Sequence, residues 1–287
     1  MHRLMINVNV LEQLSSDLSK SVNPVKFAQS LGIEPDDWQR DVLLSTEKRI
    51  ALCCGRQTGK STCVALLSLH HCLTVKDATV LIVSPSVRQS GELFRKIITY
   101  WKLLGKPLPS ETETQLTLTL KNGSRIHALP STSETIRGLT ATLLCVDEAA
   151  LVSDTLFTAI RPMLAVTDGK LILLSTPAGQ RGFFWKIWSE EEDWLKKKIT
   201  SEECSRISAE YLAREKRTMG ASFYASEYLA SFEENQLSVF NMEAVRRAFT
   251  PELKQLDINL DDDSNGNIPI TYTKMRDLGI DLDGLDD

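Results

Sequence analysis

Ile50-Ala51-Leu52-Cys53-Cys54-Gly55-Arg56-Gln57-Thr58-Gly59-Lys60-Ser61-Thr62 decides how the rest of the chain is read. The first five residues form a continuous apolar run, as in a strand covered on both faces. Two glycines follow, and a helical pattern begins at about Lys60. A loop between a buried strand and a helix N-terminus turns backbone N–H groups inward, and the helix end adds a partial positive charge. That arrangement suits phosphate. Gly59 permits close backbone approach, Lys60 would reach the β- and γ-phosphates of a nucleotide, and the Ser61 hydroxyl would coordinate Mg²⁺. One spacing departs from the standard loop: its first glycine belongs at position 54, where this chain has Cys54, and Gly55 comes one place late. Gly55, Arg56, Gln57, Thr58, Gly59, Lys60, Ser61 and Thr62 are the candidate nucleotide-binding residues.

Outward from this loop, apolar β-rich runs alternate with helical patterns, which predicts an α/β domain with a largely parallel sheet. Thr79-Val80-Leu81-Ile82-Val83 reads as a second strand, stopped by Ser84-Pro85 and followed by a helix through Trp101. Leu143-Leu144-Cys145-Val146 and Lys170-Leu171-Ile172-Leu173-Leu174 read as a third and a fourth. Between the second and third, Leu116, Leu118 and Leu120 alternate with threonines, and Asn122-Gly123 precedes Arg125-Ile126-His127-Ala128-Leu129. Alternation around Asn-Gly predicts an antiparallel hairpin at the sheet edge or projecting from it. After Pro177 the pattern turns helical and amphipathic, through residues 207–219 and 222–232. Residues 257–267 are acidic and turn-rich, as in a linker. The expected organisation is an arm and core over 1–200, a small helical subdomain over 201–250, and an acidic linker with one further strand over 251–287.

The third strand ends in Asp147-Glu148. Behind a phosphate loop, Asp147 would join the Mg²⁺ shell, and Glu148 would orient and deprotonate the attacking water. Read alone, the pair could equally cap a helix. Ser175-Thr176-Pro177 ends the next strand, where hydroxyls could sense the γ-phosphate and pass on its loss. Arg56 in the loop and Arg137, just before the acidic strand, compete for the transition-state role, in which a guanidinium contributes about 10³–10⁵ in rate. Residue types alone do not separate action within one subunit from action between two. Asp37-Trp38-Gln39 precedes the first strand. Gln39 there either reads an adenine edge or is the polar neighbour of a buried Trp.

Composition sets the outer bounds. The chain has 287 residues, 42% hydrophobic and 25% charged, enough for one large domain or two small ones. No apolar run approaches the roughly 20 residues that span a bilayer. The N-terminus, Met1-His2-Arg3-Leu4-Met5-Ile6-Asn7-Val8, lacks a long apolar signal segment. The six cysteines read as small apolar residues in a reduced core, so the expected compartment is the cytosol. His70-His71-Cys72 resembles a metal cluster only in composition, because adjacent helical residues face different ways. A net charge of −5 argues against a stable sequence-independent nucleic-acid binder. It leaves room for brief contact through a local patch. Lys196-Lys197-Lys198 and Arg246-Arg247 read either as such a patch or as solvated surface.

Taken in order, Trp38-Gln39, Arg56-Gln57-Thr58-Gly59-Lys60-Ser61, Arg137-Gly138, Val146-Asp147-Glu148-Ala149 and Ser175-Thr176-Pro177 resemble the ATPase domain of tailed-phage terminase large subunits. The later segment from Phe223 to Phe232 looks like that family's Glu-Tyr…Phe segment. The resemblance covers roughly residues 24–242, and it accounts for the displaced glycine. It implies a RecA-like P-loop NTPase fold of the additional-strand, catalytic-glutamate type, using ATP and Mg²⁺. It also implies a ring, expected as a pentamer, on the portal protein of a procapsid in the host cytoplasm. Such a ring drives double-stranded viral DNA inward with a terminase small subunit and without a membrane. By the same resemblance Arg137 is the trans-acting finger, Arg56 the phosphate-loop arginine, and Ser175-Thr176-Pro177 the coupling motif.

The family usually carries a second, RNase H-like nuclease domain. Leu278-Gly279-Ile280-Asp281-Leu282 looks like its first strand, with Asp281 the first metal-binding carboxylate. A two-metal site needs several carboxylates on a folded scaffold, so no nuclease activity is expected of this chain. Two other functions compete. A helicase-like nucleic-acid-stimulated ATPase would need a second RecA-like lobe, and no strand-rich pattern follows Pro177. A non-catalytic nucleotide-binding assembly protein would not need Glu148.

Overall fold

The computed structural model describes residues 8–130 and 138–233. The chain divides into a compact unit, Met1–Gln236, and a second, Leu237–Asp287, which lies outside the described residues. Arg137, Arg246, Arg247, the acidic stretch 257–267 and Asp281 therefore also lie outside them.

The first unit is built on one eight-stranded sheet in the order β3-β4-β5-β2-β6-β7-β1-β8. Its strands are β1 (Arg49–Cys54), β2 (Thr79–Ser84), β3 (Ser110–Glu113), β4 (Thr117–Leu120), β5 (Arg125–Pro130), β6 (Leu143–Asp147), β7 (Lys170–Ser175) and β8 (Leu195–Ile199). From β5 to β8 every pairing is parallel. Only β3–β4 and β4–β5 are antiparallel.

The four apolar runs read from sequence are the strands β1, β2, β6 and β7. Their side chains alternate between two cores, as the two-residue period of a strand requires. Ile50, Leu52, Val80, Ile82, Leu143, Cys145, Ile172 and Leu174 join one cluster. Ala51, Cys53, Leu81, Val83, Leu144, Val146, Leu171 and Leu173 join the other. The first face is covered by α2 (Pro24–Ser30), α3 (Asp37–Leu44), α4 (Lys60–Thr74) and α5 (Val87–Leu103). The second is covered by α6 (Asp154–Ile160) and α7 (Gly182–Glu190). Helix α1 (Val8–Val22) packs beside α2 and α4. Helix α4 is buried over most of its circumference, which is why its composition is apolar nearly all round. None of the described helices is long and apolar enough to cross a membrane.

The Asn-Gly hairpin is present, with Gly123 at φ +82° and its N–H donating to the Leu120 carbonyl at 2.9 Å. It is continuous with the sheet, and β3 lies outside it as the edge. Four polar residues, Ser-Glu-Thr-Glu, carry no alternation from which β3 could be read. The reading of the region after Pro177 as wholly helical is corrected by β8. Lys196-Lys197-Lys198 is an edge strand parallel to β1, with Lys196 Nζ bonded to the Trp188 carbonyl and Lys197 Nζ 2.6 Å from Asp41. Lysines on an edge deter pairing with another chain, and here they mask the strand pattern too. The predicted helices follow as α8 (Ala209–Thr218) and α9 (Ala221–Leu229), joined by the cluster Leu212, Tyr224 and Tyr228.

All six cysteines are buried and free. His70 Nε2 bonds the Lys20 carbonyl, His71 Nε2 bonds Thr142 Oγ1, and Cys72 Sγ donates to the Arg125 carbonyl. The three side chains have three different partners.

Candidate nucleotide site

The carboxyl ends of β6, β7 and β1 lie side by side, and the sequence-predicted residues come off them in that order. An open cavity of about 710 Å³ sits there, walled by the phosphate loop, Glu148, Thr176, Pro177 and residues of α5. Ligands in open parallel sheets bind outside the carboxyl ends of strands, where topology switches direction.

The loop is held from behind. Gly55 N donates to the Ile199 carbonyl at 2.8 Å, and Arg56 N to the Glu227 carbonyl at 2.8 Å. A Cβ on Gly55 would lie 2.5 Å from Ser201 Oγ and 2.6 Å from the Tyr228 carbonyl oxygen. The late glycine thus has a local cause: the segments after β8 and within α9 press against the backbone at 55. Thr58, 1% exposed, donates to the Gly55 carbonyl at 3.0 Å, and Gly59 enters α4 at φ +94°. Gly55 and Thr58 stand behind the wall, while Arg56, Gln57, Gly59, Lys60, Ser61 and Thr62 line it.

Gln39 also stands behind the wall. It is 4% exposed, its Nε2 donates to the Gly59 carbonyl at 3.2 Å, and its Oε1 accepts from Asp36 N at 2.9 Å. Both amide atoms are therefore committed to the start of α3 and to the loop, a propping contact. Trp38 packs against the core beside it. Sequence reading missed Arg206, whose guanidinium forks onto both oxygens of Asp36 at 2.7 Å and reaches the Thr58 carbonyl at 3.1 Å. It missed Lys96 as well, on α5, which donates to Thr62 Oγ1 at 3.1 Å. Both line the cavity. Neither belongs to a motif, so only the fold brings them there.

Lys60 Nζ is 2.9 Å from Glu148 Oε1. The two motifs therefore meet in one cavity. Ser175 Oγ accepts from Ala150 N at 3.2 Å and has two acceptors for its one proton, the Thr176 carbonyl at 2.6 Å and Glu148 Oε2 at 3.3 Å, so the strand-ending serine stands directly beside the glutamate. Glu148 itself is at φ 49°, ψ 47°, a left-handed conformation that costs a non-glycine residue on the order of 1 kcal/mol. Ser226 Oγ in α9 donates to the Pro177 carbonyl at 2.8 Å. One turn of α9 thus touches both the phosphate loop and the Ser175-Thr176-Pro177 segment. Arg56 Nε is paired with Glu227 Oε2, which raises the guanidinium above its ordinary value.

Asp147 is 7% exposed, and burial, aided by the neighbouring Glu148 carboxylate, pushes it up to about 6. Beside it at the end of β2, Ser84 Oγ is the one buried side-chain polar atom among the described residues without a hydrogen-bond partner. A buried carboxylate whose burial outweighs the pull of Lys60 and Lys96, with the Ser61 hydroxyl at the start of α4, is a donor set that fits a hard divalent cation. The same burial has a stability consequence. A folded pKa above the unfolded value means a penalty at neutral pH that fades as pH falls through 6 toward 4. Asp147→Asn should therefore stabilise the nucleotide-free protein at pH 7 by on the order of 2 kcal/mol. The gain should vanish near pH 4, as thermal unfolding across pH would show; equal gains at both pH values would contradict this account.

Residues 52–247 match the family model described as terminase large subunit, T4likevirus-type, N-terminal. This chain belongs to that terminase family. Among its relatives is the terminase large subunit of Thermus phage G20c, 29% identical, with 55% of this terminase chain and 37% of the relative covered. That of Thermus virus P23-45 matches with the same figures. This terminase chain thus spans 37% of the length of these curated relatives. The solved ATPase domain of the Thermus phage P74-26 large terminase superposes with a TM-score of 0.66 at 22% identity, covering 72% of this chain and 98% of that one. The large terminase of bacteriophage HK97 superposes at 0.57 and 18% identity, covering 70% and 51%. At these identities the likeness is one of fold, and the fold is the RecA-like arrangement expected.

Proposed function

We propose that this chain is the ATP-hydrolysing motor of a terminase large subunit, driving double-stranded DNA into a procapsid. The observation that carries the reading is the 2.9 Å approach of Lys60 to Glu148 across a cavity large enough for a nucleotide. The roles of the residues follow from their chemistry. Backbone N–H groups of the loop and the α4 N-terminus receive the phosphates, with Lys60 on the β- and γ-oxygens. A triphosphate that takes Lys60 leaves Glu148 free to orient a water and accept its proton. Ser61 and Asp147 would hold Mg²⁺, which when bound supplies charge neutralisation at the phosphates. Gln39 and Thr58 keep the loop in shape. Ser175, Thr176 and Pro177 couple Glu148 to α9.

The family resemblance assigns Arg137 as a finger acting on a neighbouring subunit and Arg56 as the loop arginine acting within its own. It likewise assigns ring assembly on a portal, a small-subunit partner and viral DNA as the cargo. We assign residues 1–200 to the ATPase core, 201–250 to a helical lid and 251–287 to an acidic linker leading into a nuclease strand that contains Asp281.

Lys60→Ala should weaken ATP binding by about 10²-fold, since it removes a charge-assisted contact to the phosphates. Isothermal titration with Mg²⁺ and ATP measures it. Unchanged affinity in a folded variant would remove the nucleotide from this cavity, and the motor with it.

A further inference from the structure

At the carboxyl ends of β2 and β6 two polar side chains stand side by side on one face of the sheet. The strands run parallel with Val83 opposite Val146, so the next residues in register are Ser84 and Asp147. Alternation puts both on the face covered by α4 and α5, because Val80, Ile82, Leu143 and Cys145 belong to that cluster. Neighbouring strands lie about 4.8 Å apart, which brings hydroxyl and carboxylate within reach of a rotamer change or one bridging water. Ser84 is 0% exposed, and its Oγ has no hydrogen-bond partner among the described residues. Asp147 Oδ1 accepts from the Glu148 N–H at 3.1 Å, and no described donor meets Oδ2. The ammonium groups nearby are engaged elsewhere: Lys60 pairs with Glu148, and Lys96 donates to Thr62. An unused donor thus lies beside an unused acceptor. A buried hydroxyl left unbonded costs stability, and alanine in its place would avoid that cost.

We propose that Ser84 is a positioning residue for Asp147: its hydroxyl bonds the carboxylate, directly or through one water, when that carboxylate faces the divalent cation. The proposal rests on the nucleotide and Mg²⁺ reading of the cavity. Outer hydrogen bonds of this kind orient the carboxylates of metal sites and raise metal affinity. The Glu148 N–H is one such donor to Asp147, and Ser84 is the second. In the nucleotide-free chain the Ser84 hydroxyl bonds to nothing, so its contribution appears only together with the cation.

The test is ATP binding to the full chain, once with excess Mg²⁺ and once with EDTA, beside a thermal melt of the nucleotide-free protein. The ratio of the two affinities is the part of binding that belongs to the cation. Ser84→Ala should lower that ratio about three- to tenfold, the worth of one hydrogen bond, and leave binding in EDTA unchanged. The same variant should melt about 2–4 °C higher without nucleotide, because the unbonded hydroxyl is gone. In an Asp147→Asn background, Ser84→Ala should change the ratio no further. A serine that merely packed the strand end would show no such split, since its loss would lower stability and both affinities together. An unchanged ratio, an equal loss in EDTA or a lower melting temperature overturns the proposal. So does an effect of Ser84→Ala that survives intact beside Asp147→Asn. If wild type binds ATP no better with Mg²⁺ than in EDTA, the cation reading fails and takes this inference with it. If Asp147→Asn lowers the ratio and Ser84→Ala does not, this inference alone fails.

Discussion

Glu148→Gln should bind ATP as wild type does and turn it over about 10²–10⁴-fold more slowly, the range for loss of a positioned general base. The substitution is close to isosteric. Its amide oxygen can still accept from Ser175 Oγ, which lies 3.3 Å from the carboxylate now. What the amide cannot do is take a proton. It also ends the charge pairing with Lys60 Nζ at 2.9 Å, so nucleotide affinity should hold or rise slightly. Single-turnover hydrolysis beside a binding titration separates the two effects. Hydrolysis at the wild-type rate would mean that water is activated elsewhere. Lost binding would mean that Glu148 shapes the loop rather than the reaction.

Gly55→Ala should cost about 2–3 kcal/mol of stability, at the upper end for an inserted methyl in a packed site. For a unit of this size that lowers the melting temperature by roughly 4–12 °C. Contacts of 2.5, 2.6 and 2.9 Å with Ser201 Oγ, the Tyr228 carbonyl and Ser201 N give the new methyl no room, and two of the three atoms are backbone. Relief requires the loop to move away from β8 and α9, so ATP affinity should fall with stability. Gly91→Ala is the contrasting case. It lies inside α5, where the nearest atom to a new methyl is 3.7 Å away. There alanine should stabilise by about 0.5–1 kcal/mol through helix propensity. Calorimetry on both variants checks the pair, and a neutral Gly55→Ala would refute the clamp on the loop.

What could be read beforehand, and what could not, divides along physical lines. β1, β2, β6 and β7 are buried on both faces by their neighbours and two helical layers, so each had to be written in consecutive apolar residues. The hairpin announced itself through Asn122-Gly123, because its turn needs a residue at positive φ. The edge strands β3 and β8 stayed hidden. An edge is half solvated, its side chains are chosen to repel other strands, and so Ser-Glu-Thr-Glu and Lys-Lys-Lys carry no strand signal. In the site, Lys60, Asp147 and Glu148 sit where chemistry needs a fixed spacing from a strand end. Gln39 was legible as a position near the loop, but not as a side chain with both ends occupied. Arg206 and Lys96 are single charged residues on a loop and a helix, and Glu227 was legible only as part of the Glu-Tyr…Phe segment; only folding makes the three neighbours of the phosphate loop.

β1, the strand that leads into the phosphate loop, has β7 on one side and β8 on the other, and its loop is braced by the carbonyl of Tyr228. On a ribosome adding roughly 5–20 residues per second, those supports emerge on the order of ten to thirty seconds after Lys60 does. Through that interval β2, the hairpin and α5 can associate locally, whereas the phosphate loop has no sheet to stand on. Its apolar stem, Ile50 to Cys54, has neither of its strand partners until β7 and then β8 have emerged. The nucleotide site can be completed only once α9 has emerged, although its loop is made early.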